Sequence, residues 1–330
     1  MPAPVMSSLP VKPQLPCSVM IAAHNPRMET LGKVLDALRA QTLPLPDWEL
    51  LVIDNASTEP LAERIDLGWH PAGRCVREER RGHSFARARG LRESRGEIVI
   101  SVDDDNVLDD NYLDEALRLG AEWTSLGVWG GQIKPEWEAP PTADVLPWIQ
   151  HLALCEFDTP SWSSFVHDWT VPYGAGMCVR REIVSAFLAA GSDEVSSRFG
   201  RSGSSTVSGD DHLLAYAATK MGFGVGKFPT LVLHHLIPKQ RVLPDYIVKT
   251  ARGNSHAALL LQLIHRTEES RFSSRLWPAF KVFAGLFFRG MRRRMVWAEA
   301  FGQLSALREV ARIRRDRCEA GESLPVPVTH

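Results

Sequence analysis

Apolar runs alternate with amphipathic stretches through the first two thirds of the chain. Ser18 to Ala23 (SVMIAA) carries no charge, the pattern of a strand buried on both faces. Asn25-Pro26 turns it into a helix through Ala40 with Leu31, Val34, Leu35 and Leu38 on one face, and Leu43-Pro44-Leu45-Pro46 breaks that helix. A second strand, Trp48 to Ile53, runs into the polar cluster Asp54-Asn55-Ala56-Ser57. Arg74 to Arg77 predicts a third strand, and Ser84 to Ser94 a helix with Ser84 as its N-cap. Glu97 to Val102 predicts a fourth strand, which ends in Asp103-Asp104-Asp105-Asn106 and is followed by an amphipathic helix over Asp109 to Leu126. The order β-α-β-β-α-β-α predicts an α/β fold, a twisted and mostly parallel sheet flanked by helices.

Further on, Val128 to Ile133 reads as a strand and Pro140 to Trp169, rich in Trp and Pro, as an insertion with a short helix near Val145 to Leu154. Met177 to Val179 predicts a short strand, Arg181 to Ala190 a helix, Gly191 to Ser208 a long Gly/Ser loop, and Asp210 to Met221 a helix closed by Gly222. A strand near Thr230 to Leu233 runs into His234-His235. From Pro244 the pattern is helical in three segments, Asp245 to Ile264, Arg275 to Met295 and Ala298 to Arg317. The expected division is a flexible 1–16, a catalytic body over 17–238 and a basic helical region over 239–330.

Composition narrows the class. The 330 residues are 44% hydrophobic and 23% charged, which excludes disordered, collagen-like and disulfide-scaffold chains. No apolar run reaches the length of a spanning helix, and Met1 to Pro16 has neither the basic start nor the apolar centre of an export signal. Five cysteines without CxxC spacing predict reduced thiols, so the expected location is cytoplasmic. The net charge of −1 hides an asymmetry: Lys239 to Cys318 holds 17 Lys/Arg against 6 Asp/Glu, and the rest is acidic. Within that tail Trp277, Phe280, Phe283, Leu286, Phe287 and Phe288 are interleaved with Lys281, Arg289 and Arg292 to Arg294, the profile of an interfacial helix. The expectation is peripheral attachment of 275–317 to the anionic inner face of the cytoplasmic membrane, the alternative being a packed appendage or dimer face.

Three adjacent carboxylates at a strand end repel one another unless a cation sits among them. If the extended alternation continues, Asp103 and Asp105 face one side and Asp104 the other. Two oxygen ligands leave most of a hard cation's shell open, which suits Mg²⁺ or Mn²⁺ shared with a diphosphate. Val107 and Leu108 break any calcium-loop pattern, and there is no phosphate-binding glycine loop after the first strand. Nucleic-acid binding by the tail is not favoured, since its aromatics lie within apolar helix rather than on a sheet platform.

In this order the motifs resemble the family 2 glycosyltransferases of the GT-A, Rossmann-like fold, over Ser18 to Pro238. SVMIAAHNPRMETLGKVLDAL is similar to the family's first strand and helix, and implies donor contacts from the loop at Ala23 and Asn25. VIDNAST implies Asp54 as the residue that reads the base. FARARGLRESRGEIVISVDDDN resembles the A-R-N-x-G helix and D-x-D motif, implying Arg87 and Asp104 on the donor and Asp103 and Asp105 on the metal. YGAGMCVRRE resembles the segment lining the acceptor. SGDDHLL resembles the acidic catalytic motif, with Asp211 as general base and Asp210 beside it in place of the usual Glu, and LHHLIP implies His235, rather than His234, as a metal ligand. Ala88 stands where Asn is usual and His24 where Tyr is common.

The resemblance implies a metal-dependent, inverting single displacement from a nucleotide-diphosphate sugar to a glycan or lipid-linked acceptor. Trp162, Trp169 and Tyr173 are candidate platforms for the acceptor sugar. Two alternatives are a silent nucleotide-sugar or glycan-binding protein at the membrane and a sugar-phosphate nucleotidyltransferase. The first is disfavoured by Asp103, Asp105, Asp211 and His235 occurring together. The second expects a Gly-rich, Arg-bearing loop where Ala22-Ala23-His24-Asn25-Pro26 stands.

Overall fold

The computed structural model describes residues 15–167, 169–191, 209–265 and 273–319. The predicted flexible N-terminus and most of the Gly191 to Ser208 loop lie outside them. A single sheet organises the chain. β1 (Leu15–Ala23) pairs in parallel with β2 (Trp48–Asn55) and with β4 (Gly96–Asp103), and β2 pairs in parallel with β3 (Gly73–Glu78). β5 (Asn106–Leu108), β6 (Leu126–Trp137), β7 (Ser161–Ser163), β8 (Cys178–Arg180) and β9 (Gly224–Ile237) complete it in the order β3-β2-β1-β4-β8-β6-β9-β5, with β7 also on β9. β6 and β9 are parallel, whereas β8, β5 and β7 join antiparallel.

Side chains alternate along β1 and so feed two cores. Val19 and Ile21 pack with Leu50 and Val52 under α1 (Met28–Arg39), beside Ile100 and Val102. Tyr112 and Leu113 of α3 (Tyr112–Glu122) join the same cluster. Met20 points the other way, with Leu51 and Ile53, toward Ala86 and Leu91 of α2 (His83–Glu93) and Ile183 and Phe187 of α4 (Arg181–Ala189). Leu213 and Leu214 of α5 (Asp210–Lys220) and Leu259 to Leu261 of α6 (Pro244–His265) complete that second core. α7 (Ser273–Ala284) and α8 (Gly290–Glu319) follow, and Ala306 of α8 also lies in the second core.

Several expectations change. α2 starts at His83 after Gly82, which has φ +140° and donates to Asn55 Oδ1 at 2.8 Å; Gly82 is the N-cap, and Ser84 is buried inside the helix. α3 is shorter than expected at both ends, since the Asp109 N–H is bonded to the Val232 carbonyl at 3.1 Å and Leu126 already opens β6, and Asn106 to Leu108 forms an unexpected strand on β9. The short helix in the insertion is a 3-10 segment, Leu146–Leu152. The aromatic tail segment is not one helix: it breaks at a 3-10 turn, Gly285–Phe287, and at Gly290 with φ +55°, and α8 then runs unbroken through Met295 and Ala298. Cys17, Cys75, Cys155 and Cys178 are free, as expected, and burial pushes the Cys17 thiol up to about 12.

Candidate functional site

The strand order β3-β2-β1-β4 runs outward from β1 in both directions, so the carboxyl ends of β1 and β4 flank a topological switch point, where open α/β sheets form their binding crevices. A cleft of about 140 Å³ opens there, lined by Ala22, His83, Arg87, Asp103 to Asn106, Ile133, Ala153, Tyr173 to Ala175, Asp211, His235 and Arg241. Six of the residues singled out in the sequence, Arg87, Asp103, Asp104, Asp105, Asp211 and His235, therefore meet, brought from four segments of the chain.

The three aspartates do not alternate as expected. β4 ends at Asp103, Asp104 and Asp105 form a turn, and all three line the same cleft. Desolvation there, with the charges of Asp105 and Asp103, pushes the Asp104 carboxyl up to about 7. Asp103 is part-exposed, with Oδ1 3.6 Å from Nε2 of His83. Burial also acts to raise Asp105, but His235 and the charge of Arg241 outweigh it and hold its carboxyl below the usual range.

β9 turns the two histidines to opposite sides. Its alternation buries Leu233, His235 and Ile237, and its register places His235 opposite Asn106. His235 Nε2 lies 3.5 Å from Asp105 Oδ2, whereas His234 is turned to Asp109 at 3.2 Å, away from the cleft. A carboxylate oxygen and an imidazole nitrogen at that separation suit two neighbouring ligands of one divalent ion and leave positions for diphosphate oxygens. Arg241, however, stands against both. Its Nη1 donates to Asp105 Oδ2 at 2.8 Å and lies 3.1 Å from His235 Nε2. Among the described residues no three His, Cys, Asp or Glu side chains are gathered as a ligand set. Arg241 thus occupies the position between these two groups that a divalent ion would take.

Asp211, in the first turn of α5, is buried. Its Oδ2 accepts from the Gly174 N–H at 3.2 Å, and its Oδ1 from the His212 N–H at 2.9 Å, with His212 Nδ1 at 3.0 Å. A Cβ at Gly174 would lie 2.1 Å from Nη2 of the buried Arg87, so a larger residue there would have to displace that guanidinium. Asp210 opens α5, and its side chain lies outside the described residues. Tyr173 reaches the cleft. Trp162 lies against Trp123 at 6.1 Å and Trp169 stacks on His167 at 5.7 Å, both more than half exposed and neither in the cleft lining.

Ala23, Asn25 and Asp54 stand beside the cleft rather than in it. Ala23 is paired with Asp54 across β1 and β2. Asp54 accepts from the Ser57 N–H at 2.9 Å, the Leu61 N–H at 3.2 Å and Arg77 Nη1 at 2.7 Å. Burial works against that carboxylate, but these donors hold its pKa low. Asn25, at φ +47°, donates its N–H to Ser57 Oγ at 3.0 Å and accepts the Thr58 N–H at 2.8 Å, tying the two strand-end loops into a shelf.

Sequence reasoning missed His83, Asn106 and Arg241. Asn106 carried a signal, since it continues the acidic run; its amide donates to Asp105 Oδ1 at 3.2 Å. Arg241 lies in the 3-10 turn Lys239–Val242, beyond the expected domain boundary at Pro238, so the boundary cut the cleft apart.

Residues 18–149 match the family described as Glycosyl transferase family 2. The glycosyltransferase AglE of Haloferax volcanii is 28% identical over 120 residues, 36% of this chain and 39% of that protein. The crystal structure of S. aureus TarS superposes with a TM-score of 0.50 at 15% identity, covering 83% of this chain and 44% of TarS. The chain thus aligns with less than half the length of both, and TarS shares the fold.

Proposed function

Because residues 18–149 match glycosyl transferase family 2, we propose that the chain moves a sugar from a nucleotide-diphosphate sugar to a hydroxyl of a glycan or lipid-linked acceptor, with inversion. One observation carries the reading: strand-end acids, a buried carboxylate on a helix N-terminus and two buried cationic or imidazole groups converge on the switch-point cleft. In the displacement the acceptor oxygen bonds to the anomeric carbon, the bond from that carbon to the diphosphate oxygen breaks, and the acceptor proton passes to Asp211. Two backbone N–H groups fix the direction of that carboxylate, which is the positioning a general base needs. Arg87 and Arg241 offer positive charge to the leaving diphosphate. Asp105 and His235, with Asp103 nearby, would hold a divalent cation, Mn²⁺ or Mg²⁺, which would supply Lewis-acid stabilisation of the same group. The shelf of Ala23, Asn25 and Asp54 is where the nucleoside rests, Tyr173 faces the acceptor, and Asp210 supports Asp211.

The test titrates the protein with UDP-, GDP- and dTDP-sugars in Mn²⁺ and follows nucleoside diphosphate release. Asp211→Asn is expected to bind donor normally while kcat falls at least about 10²-fold, and Asp105→Ala to lose metal-dependent donor binding. Donor binding without turnover in the unaltered protein would instead identify a binding module, and near-normal rates in Asp211→Asn would move the base elsewhere.

A further inference from the structure

Of the large apolar side chains that stand exposed among the described residues, five fall within eleven positions: Trp277 (54%), Phe280 (57%), Phe283 (59%), Leu286 (59%) and Phe287 (74%). Spacing of three residues along α7 keeps the first three rings within one stripe of the helix. They are ordered against one another: Trp277 stacks on Phe280 at 5.4 Å, and Phe283 meets Phe287 edge-on at 5.5 Å. The opposite side of this segment is seated on α8. Trp297 Nε1 donates to the Val282 carbonyl at 3.2 Å, and the Gly285 backbone approaches the Trp297 ring so closely that a Cβ would lie 2.2 Å from Nε1. The rings are thus held outward by packing.

Charge identifies the partner. From Trp277 to Ala298 there are five cations, Lys281, Arg289 and Arg292 to Arg294, and no Asp or Glu. Lys281 is paired with Glu299 and Arg294 with Asp245, whereas Arg289 and Arg292 are exposed beside the rings, with the Arg292 guanidinium 4.2 Å over Phe288. Pairing two copies through this face would bring the arginines together, which disfavours self-association. A surface that accepts aromatic rings to a shallow depth and offers phosphate at that level satisfies both sets of side chains.

We propose that Trp277 to Arg294 is a docking surface for an anionic lipid bilayer, with the five apolar side chains entering the acyl boundary and Arg289 and Arg292 on lipid phosphates. The proposal stands whether or not the cleft transfers sugar.

The full chain is sedimented with vesicles of phosphatidylcholine alone and of phosphatidylcholine mixed with phosphatidylglycerol, and its mass in solution is followed by light scattering. The expected result is binding to the mixed vesicles only, weakened by salt. The double variants Phe283→Ser/Phe287→Ser and Arg289→Glu/Arg292→Glu are each expected to bind at least about tenfold more weakly, with unchanged thermal unfolding. Failure of the unaltered chain to sediment with the mixed vesicles, equal binding to neutral ones, or unimpaired binding by either folded variant would overturn the proposal. So would self-association abolished by Phe283→Ser/Phe287→Ser in a chain that ignores vesicles.

Discussion

Arg241 sets the charge balance of the cleft. Its guanidinium bridges Asp105 and His235, the two groups best suited to a divalent ion, and so competes for the same position. Replacing it by Gln is expected to tighten Mn²⁺ binding, measured by calorimetry without nucleotide, by at least about tenfold, since a full positive charge within hydrogen-bond distance is removed. Binding that is unchanged or weaker would mean that Arg241 does not hold the cation's place. Asp103 to Asp105, Asp211 and His235 were legible because acids at a strand end, an acidic helix start and a His before Leu-Ile-Pro each have a positional signature. Arg241 was not, because one arginine among 17 Lys/Arg in the tail carries none until the turn after β9 folds it back. The side to which Asp104 turns was misread for a different reason: alternation is a property of extended backbone, and the backbone stops being extended at Asp103.

Among the elements, the parallel strands were the most readable, since a strand buried on both faces must be apolar throughout. Glu49, fully buried in β2, is an exception. It accepts from Ser18 Oγ at 2.7 Å, from the Arg95 N–H at 2.6 Å and from the Arg95 and Arg74 guanidinium groups, linking the starts of β1, β2, β3 and β4. Burial pushes this carboxyl up, yet the Ser18 and Arg95 hydrogen bonds together prevail and hold it below its ordinary value of 4.5. A depressed pKa contributes stability that is present above the unfolded value and lost as pH falls through the folded one. Glu49→Gln is therefore expected to lower unfolding stability by about 1–3 kcal/mol at pH 7, with the deficit shrinking toward pH 3. A deficit that is constant across that range, measured by denaturant unfolding, would exclude the linkage. Short elements were the least readable. β5 has three residues and no pattern of its own, and only its pairing with β9 makes it a strand.

At the scale of the whole molecule the helical region is less separable than the sequence suggested. Leu259 to Leu261 and Leu263 of α6 and Ala306 of α8 lie in the same core as Met20, Leu51 and Val99 of the sheet, with Leu307 and Val310 packed against it. Met295 and Ala298 cover Ile237 and Val242 beside the end of β9. Removing 273–330 is thus expected to cost about 3 kcal/mol or more, from the apolar side chains left uncovered, and to lower the melting temperature measurably. A truncated chain that melts with the parent would restore the picture of an independent body. Among the described residues no helix is long and apolar enough to cross a membrane. The basic aromatic stretch was legible as composition, whereas its break at Gly285 to Gly290 was not, because the contact with Trp297 that fixes it is tertiary.

β9 has 14 residues, buried at every second position from Leu231 to Ile237. Deleting or inserting a single residue between Phe228 and His235 would exchange the inward and outward histidines and shift the turn bearing Arg241 by one position. Length changes are therefore tolerable in the connections around this strand but not within it, and a homologue altered there would have to rebuild the cleft from other side chains.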